Sequence, residues 1–137
     1  MAVCRLKPLL LVCAAQRLTI GALLPTLPHH PALYHMLRST AAIFEEDINR
    51  NGQILPGTKV SVLSASSGYA SPHTALGAVT KLYSEAEGTL VGWVGPWSNM
   101  ACPPTQDLIR GLGQPQISYG CTQTAMSSKA RFPVRFL

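Results

Sequence analysis

Charged residues are scarce in this sequence of 137 residues, at 12% against 47% apolar residues. So much apolar surface excludes a disordered chain, because its burial offsets the entropy lost on ordering. The net charge is +5, but the basic residues form no stripe and have no aromatic platform between them, so we predict no nucleic-acid partner. The length allows one domain.

The common signatures of catalysis are missing as well. The first predicted strand is not followed by the G-x-G-x-x-G of a dinucleotide site, and neither a Walker phosphate loop nor the G-x-S-x-G of a hydrolase occurs. His29, His30 and His35 cluster, but no Cys, Asp or Glu stands at ligand spacing from them. The acidic run at 45–47 is most simply a solvated helix face. We therefore predict no enzyme activity, no metal and no cofactor.

The first fifteen residues are typical of a secretory signal. Arg5 and Lys7 precede an apolar run at 9–12, and Ala14 and Ala15 come just before Gln16. The alternative is a hydrophobic N-terminus without a targeting role. No later stretch has the roughly 18 uninterrupted apolar residues of a membrane helix. We predict a signal peptide over 1–15 and one domain over 16–137.

Cysteine is rare outside that leader. Cys4 and Cys13 fall within it, which leaves Cys102 and Cys121. Two cysteines in a secreted domain suggest a disulfide, and two free buried cysteines are the alternative. Zinc is disfavoured because there is no C-x-x-C and neither cysteine has a His nearby in the sequence.

Short apolar runs alternate with amphipathic segments along the rest of the chain. Strands are predicted at 18–24, 60–63, 89–94 and 116–119. Helices are predicted from apolar residues at helical spacing, namely Leu37, Ala41, Phe44 and Ile48, then Ala75, Leu76, Val79 and Leu82, and a third helix over about 99–111. Asn51-Gly52 predicts a left-handed cap and Ser71-Pro72 an N-cap. The order β-α-β-α-β-α-β predicts the α/β class, with a doubly wound, mostly parallel sheet and helices on its faces.

Ligands of such sheets bind beyond the carboxyl ends of the strands. The loops expected there cover 25–28, 64–68, 95–99 and 120–124, and hydroxyls, an amide and glycines dominate them. This chemistry suits hydrogen bonding to a small polar ligand rather than bond-breaking. The alternative for any single Ser or Thr there is that it only caps a helix.

Six segments, in order, carry a resemblance to a known family. They are IGAL at 20–23, AIFEEDINRNG at 42–52, ILPG at 54–57, GWVGP at 92–96, PQISYG at 115–120 and SSKARFP at 127–133. Together they resemble the receptor family ligand-binding region of the type I periplasmic-binding-protein fold. That family includes the ectodomains of receptor guanylyl cyclases, natriuretic peptide receptors, and metabotropic glutamate and GABA receptors. The resemblance runs from about Leu18 to the last residue and implies the first lobe of a two-lobed clamshell.

The resemblance also implies positions for a ligand. In the glutamate-receptor branch, the places of Ser98 and Asn99 hold a serine pair that binds an amino-acid carboxylate, and the place of Thr122 holds a threonine for the amino group. Here Asn99 and Met100 replace serines and Cys121 replaces a small residue, so an amino acid is not the favoured ligand. The predicted ligand-binding residues are Ser98, Asn99, Tyr119, Thr122 and Ser67.

The cysteines resemble those of a different branch. The A-C-x-P at 101–104 and the G-C at 120–121 are similar to a pattern of guanylyl cyclase ectodomains. Both partners of the natriuretic branch's disulfide are missing, and the corresponding places lie near Tyr69 and Ser98. The resemblance therefore implies a Cys102–Cys121 disulfide and favours the guanylyl cyclase branch.

By this resemblance, the chain is a fragment of the extracellular ligand-binding region of a membrane signalling receptor. The implied partners are a small polar ligand or peptide and, in the full-length parent, a second copy bound through lobe 1 helices. The implied location is the extracellular face of the plasma membrane, with attachment only through regions missing from this sequence. Because a second lobe is missing too, we expect the chain alone to bind ligand weakly or not at all. The alternative is a soluble, periplasmic-type protein that binds an amino acid or another solute.

Overall fold

The computed structural model describes residues 16–128, 130–131 and 135–136. The predicted signal peptide over 1–15 lies outside the described residues, as does part of the family-like segment at 127–133. Within the described ranges, no helix combines the length and apolarity needed to cross a membrane.

The described residues form a parallel sheet with helices between the strands. The elements are β1 (Gln16–Pro25), α1 (Ala32–Arg50), β2 (Thr58–Gly68), α2 (Pro72–Glu85), β3 (Leu90–Val94), α3 (Cys102–Gly111), β4 (Gln116–Ile117), a 3-10 turn (Thr124–Ser127) and β5 (Arg135–Phe136). The strand order is β2-β1-β3-β4-β5, and every neighbouring pair is parallel. The predicted α/β class and sheet type are confirmed, and β5 adds a strand to the four that were predicted.

The main core lies on one face of the sheet, under α2 and α3. Side chains alternate between the faces of a strand, so Leu23 of β1 points toward these two helices. It belongs to a buried apolar cluster that consists of Leu23, Ala65, Ala78, Val79, Leu82, Ala86, Leu90, Trp93 and Ile109. The predicted apolar face of α2 therefore packs as expected, with Ala78 in the buried stripe and Leu76 half-buried.

The opposite face is covered by α1, which packs differently. None of the side chains of α1 is buried. Its predicted apolar residues Leu37, Ala41 and Phe44 line a cavity of about 440 Å³, together with Ile20 and Val62 of the sheet. The apolar face of α1 thus points toward the sheet without filling the space between them.

Polar side chains attach α1 to β2, the edge strand of the sheet. Asn49 Oδ1 accepts from the Val60 N–H at 2.8 Å, and its Nδ2 donates to the Val60 carbonyl at 2.7 Å. Glu45 Oε2 accepts from the Val62 N–H at 2.8 Å. The interpretation of 45–47 as a solvated face is therefore wrong for Glu45, which satisfies a strand-edge donor. It fits Glu46, which pairs with Arg50 on the exposed surface.

The helix ends agree with the sequence in one case and differ in the other. Ser71 caps α2 as predicted: its Oγ accepts from the Thr74 N–H at 3.2 Å, and Pro72 occupies the first turn. Asn51 does not adopt the predicted left-handed conformation, since its φ is −87° and its ψ is 89°. Instead its side chain accepts from the Gln53 N–H at 3.1 Å. This contact forms an Asx-type turn, which ends the helix without a left-handed residue.

The second strand is longer than the sequence pattern indicates. It pairs with β1 from Thr58 to Gly68, so 64–68 is strand rather than the predicted loop. Backbone pairing with β1 extends the strand, because even small residues such as Ala65 can hydrogen-bond to a neighbouring strand. The strand ends at Gly68, whose φ of +69° suits glycine.

Gly21 is fixed by a close approach within the core. A Cβ added there would lie 2.5 Å from Cε3 of Trp93, whose indole is buried and donates to Gln114 Oε1 at 2.7 Å. We predict that Gly21→Ala lowers the free energy of unfolding by about 1–3 kcal/mol, because the anchored ring has to move. Urea denaturation measures the change.

Gly77→Ala on α2 is the matched control, since a Cβ at Gly77 meets nothing within 4 Å. It should raise the free energy of unfolding by up to about 1 kcal/mol, as alanine favours the helix. Equal effects of the two substitutions would contradict the role of the Trp93 contact.

Candidate functional site

The carboxyl ends of the parallel strands meet at one edge of the sheet, and a pocket opens there. Its volume is about 450 Å³, and loops that follow β2, β3 and β4 supply its walls. The lining residues are Tyr69, Ala70, Trp97, Ser98, Asn99, Met100, Tyr119, Gly120 and Thr122. This is the edge at which the sheet type predicts a ligand.

Most of the predicted ligand-binding residues meet in this pocket. Ser98, Asn99, Tyr119 and Thr122 line it. Ser67 does not, because it lies within β2, is buried, and donates its hydroxyl to the Leu24 carbonyl at 3.1 Å. That hydroxyl satisfies the backbone of β1 rather than facing the pocket.

Asn99 and Thr122 form a two-point contact between the β3 and β4 loops. The Thr122 N–H donates to Asn99 Oδ1 at 2.8 Å, and Asn99 Nδ2 donates to Thr122 Oγ1 at 3.2 Å. Ser98 Oγ accepts from the Met100 N–H at 3.3 Å within its own loop. The polar residues of the pocket thus hold each other in place.

A disulfide lies directly behind this contact. It joins Cys102, the first residue of α3, to Cys121 in the loop after β4, with 5.9 Å between their Cα atoms. Both residues are buried, and Met126 packs against them. Ser118 supports the same loop by donating to the Pro96 carbonyl at 3.0 Å and accepting from the Cys121 N–H at 3.2 Å. The two loops are therefore joined covalently and by hydrogen bonds.

A family model described as the receptor family ligand-binding region matches residues 38–137. The chain belongs to this family. The match begins within α1 and continues through β5, which confirms the resemblance for the segments from 42 onward, whereas the segment at 20–23 lies before the match. No curated protein matches the chain. The family supports a role in ligand binding and is usually an extracellular receptor region.

Sequence reasoning gave no ligand-binding role to Tyr69 and Trp97, which line this receptor-family pocket with Tyr119. The rings of Tyr69 and Trp97 lie with their centroids 6.1 Å apart and their planes tilted by 33°. Each follows a strand end closely, Tyr69 after Gly68 of β2 and Trp97 after the Gly95-Pro96 that comes next to β3 in the sequence. An aromatic residue shortly after each of the two strands that flank β1 is the signal that could have revealed them.

The glycine after β4 allows the two pocket loops to touch. A Cβ at Gly120 would overlap the carbonyl oxygen of Trp97, so a side chain there would push the loops apart. No charged side chain appears among the residues that line this pocket. Across residues 16–128 and the short described segments beyond, no group of three His, Cys, Asp or Glu could hold a metal ion. His29, His30 and His35, near the start of α1, are among these residues.

Tyr119 separates the pocket from the cavity under α1 and lines both. Its hydroxyl donates to the Leu23 carbonyl at 3.2 Å. Desolvation by burial raises the pKa of Tyr119 to about 12, because the surroundings disfavour the phenolate. The side chain therefore remains a neutral hydrogen-bond donor at physiological pH.

The disulfide should stabilise the domain mainly by restricting the unfolded chain. Its cysteines are 19 residues apart in sequence, and closing such a loop is worth about 3 kcal/mol. We predict that dithiothreitol lowers the free energy of unfolding in urea by about that amount. In the unprocessed chain of 137 residues, the double variant Cys102→Ala/Cys121→Ala still carries Cys4 and Cys13, so it controls for other thiol effects and should not respond. An equal response of both proteins would contradict the bond.

The raised pKa of Tyr119 predicts a late step in an alkaline titration. A phenolate absorbance change near pH 12 should disappear in Tyr119→Phe and persist in Tyr83→Phe, which removes a half-exposed tyrosine of α2. A tyrosine in the unfolded chain loses its proton near pH 10, whereas Tyr119 in the folded protein keeps its proton up to about pH 12. The protonated side chain therefore stabilises the folded state, and this stabilisation is complete below pH 10. It is lost as the pH rises from 10 to about 12. A titration unchanged by Tyr119→Phe would contradict the assignment.

Proposed function

We propose that this chain is the first lobe of the extracellular ligand-binding region of a membrane signalling receptor, preceded by a signal peptide at 1–15. The observation that carries the proposal is the pocket at the carboxyl edge of the sheet. In it, Ser98, Asn99, Tyr119 and Thr122 come together on loops joined by the disulfide. A ligand there would contact three loops at once, so its binding would influence their relative positions.

The exposure of the pocket residues supports a site completed by a second surface. Tyr69 is 51% exposed and Met100 59% exposed, whereas bound ligands usually lose most of their own contact with water. A facing lobe would provide the missing cover. We therefore place the ligand, a small polar molecule or peptide, between this lobe and a second one.

Two observations support an extracellular location. The family is usually an extracellular receptor region, and a disulfide persists in oxidising compartments. The A-C-x-P and G-C segments that hold this bond are similar to those of guanylyl cyclase ectodomains, and this favours a guanylyl cyclase-like parent over a metabotropic one.

The surface of α1 supports a homodimer in the full-length parent. Met36 and Ile43 are 64% and 60% exposed on this helix, and exposed apolar side chains on a helix commonly mark a protein contact. We propose that the lobe 1 helices form that contact.

Surface labelling of cells tests the proposal. An epitope inserted between Gly52 and Gln53, both exposed in the turn after α1, should be stained on unpermeabilised cells that express the full-length transcript. Deletion of residues 2–15 is the matched variant and should abolish this staining. Tagged protein found only in the medium would indicate a soluble binding protein instead. Staining only after permeabilisation would contradict both functions.

A further inference from the structure

The pocket offers no charge to a charged ligand. Its lining consists of aromatic, amide, hydroxyl, thioether and small side chains. A free amino acid carries a carboxylate and an ammonium group, and transferring either from water to a site without a counter-charge is costly. The pocket lining therefore disfavours a zwitterion.

The N-terminus of α3, next to the pocket, does not supply the missing charge partner. Helix N-termini bind anions through N–H groups that have no partner within the helix. At the start of α3, the Cys102 N–H already donates to the Ser98 carbonyl at 3.0 Å. The next two residues, Pro103 and Pro104, have no N–H, and the Thr105 N–H donates to the Ala101 carbonyl at 3.2 Å. The first turn of α3 therefore presents no backbone donor to a carboxylate.

The polar side chains of the pocket are partly occupied by contacts within the protein. Asn99 uses its carbonyl oxygen and its amino group on Thr122, and Ser98 Oγ accepts from the Met100 N–H. The hydroxyls of Ser98 and Thr122 are used here only as acceptors, so their protons remain available to a carbonyl of a ligand. No side chain that lines the pocket carries a charge to neutralise a carboxylate or an ammonium group.

Aromatic surface is what the pocket does present. Tyr69 and Trp97 are 51% and 39% exposed, with their rings side by side, and Tyr119 is half-exposed across the same pocket. Met100, a polarisable side chain that favours aromatic neighbours, lies at the rim. The rings provide apolar faces that are only partly covered by the protein itself.

We propose that Tyr69 and Trp97 form a subsite for an aromatic side chain carried by an uncharged, peptide-like ligand, with Met100 and Tyr119 bordering the ring. This inference rests on the proposed function and specifies the chemical class of the ligand. The ring of the ligand packs against Tyr69 and Trp97 in offset or edge-on geometry, and the pocket volume of about 450 Å³ lies within the usual range for small-molecule sites.

Four probes added to the full chain test this assignment, with binding followed by NMR shifts of the backbone amides of Ser98, Asn99, Gly120 and Thr122. N-acetyl-L-phenylalaninamide carries the ring without charge, and L-phenylalanine carries the same ring as a zwitterion. N-acetyl-L-alaninamide lacks the ring, and L-glutamate is anionic. We expect millimolar binding of N-acetyl-L-phenylalaninamide, at least about fivefold tighter than any of the other three.

Substitutions then separate the ring contact from the rest of the site. Tyr69→Ala and Trp97→Ala should each weaken N-acetyl-L-phenylalaninamide about 3- to 10-fold. Tyr69→Phe keeps the ring and should keep the affinity. Tyr83→Ala removes a tyrosine of similar exposure on α2, outside the pocket, and should have no effect.

The outcomes distinguish this inference from the proposed function. L-glutamate binding more tightly than N-acetyl-L-phenylalaninamide, with shifts at the pocket amides, would overturn the aromatic subsite and leave the ligand site in place. Equal affinities of wild type and Tyr69→Ala would also overturn the subsite. If no probe shifts those amides, the subsite is wrong, and the surface labelling still decides whether the chain is part of a receptor.

Discussion

The covalent link between the start of α3 and the loop after β4 is the constraint on which the ligand-binding edge depends. Parallel strands bring their carboxyl ends to one edge, but the loops beyond them are free to separate unless something joins them. The disulfide joins two of these loops beneath the pocket, and the Pro96 carbonyl accepts from Ser118 beside it. Because this junction is buried, the exposed Asn99–Thr122 contact can form without ordering two loops from a mobile state.

The two faces of the sheet are held by different interactions, and this difference affects the lobe as a whole. Under α2 and α3 the attachment is apolar packing around Leu23 and Trp93. On the other face, α1 is attached to the edge strand by Asn49 and Glu45, and a cavity remains beneath its apolar stripe. Apolar packing is nondirectional, whereas these hydrogen bonds fix the register of α1 on β2 and protect the strand edge. The attachment of α1 to the sheet is therefore separate from the apolar core under α2 and α3.

Local periodicity was sufficient to predict β1 to β4 and α1 to α3 in their order, because strand and helix repeats are properties of short segments. It failed where distant contacts decide the conformation. The strand character of 64–68 comes from pairing with β1, and the role of Glu45 comes from its position beside the β2 edge. Ser67 follows the same rule, since its hydroxyl faces Leu24 only once β2 extends that far. The Tyr69–Trp97 pair depends on two loops 28 positions apart in the numbering, and no single segment contains that information.

By the resemblance drawn from the sequence, the position of Asn99 holds a serine in the glutamate-receptor branch, and the amide changes what the side chain can contact. An asparagine side chain has an acceptor and a donor separated by the width of an amide, so it reaches both the N–H and the Oγ1 of Thr122. A serine hydroxyl is shorter and has a single oxygen, so it does not offer an acceptor and a donor on two separate atoms. With Asn99 in place, the polar groups of the edge support the architecture of the loops. The hydroxyl protons of Ser98 and Thr122 and the exposed aromatic faces are then the groups of this pocket that remain open to contact from outside the loops.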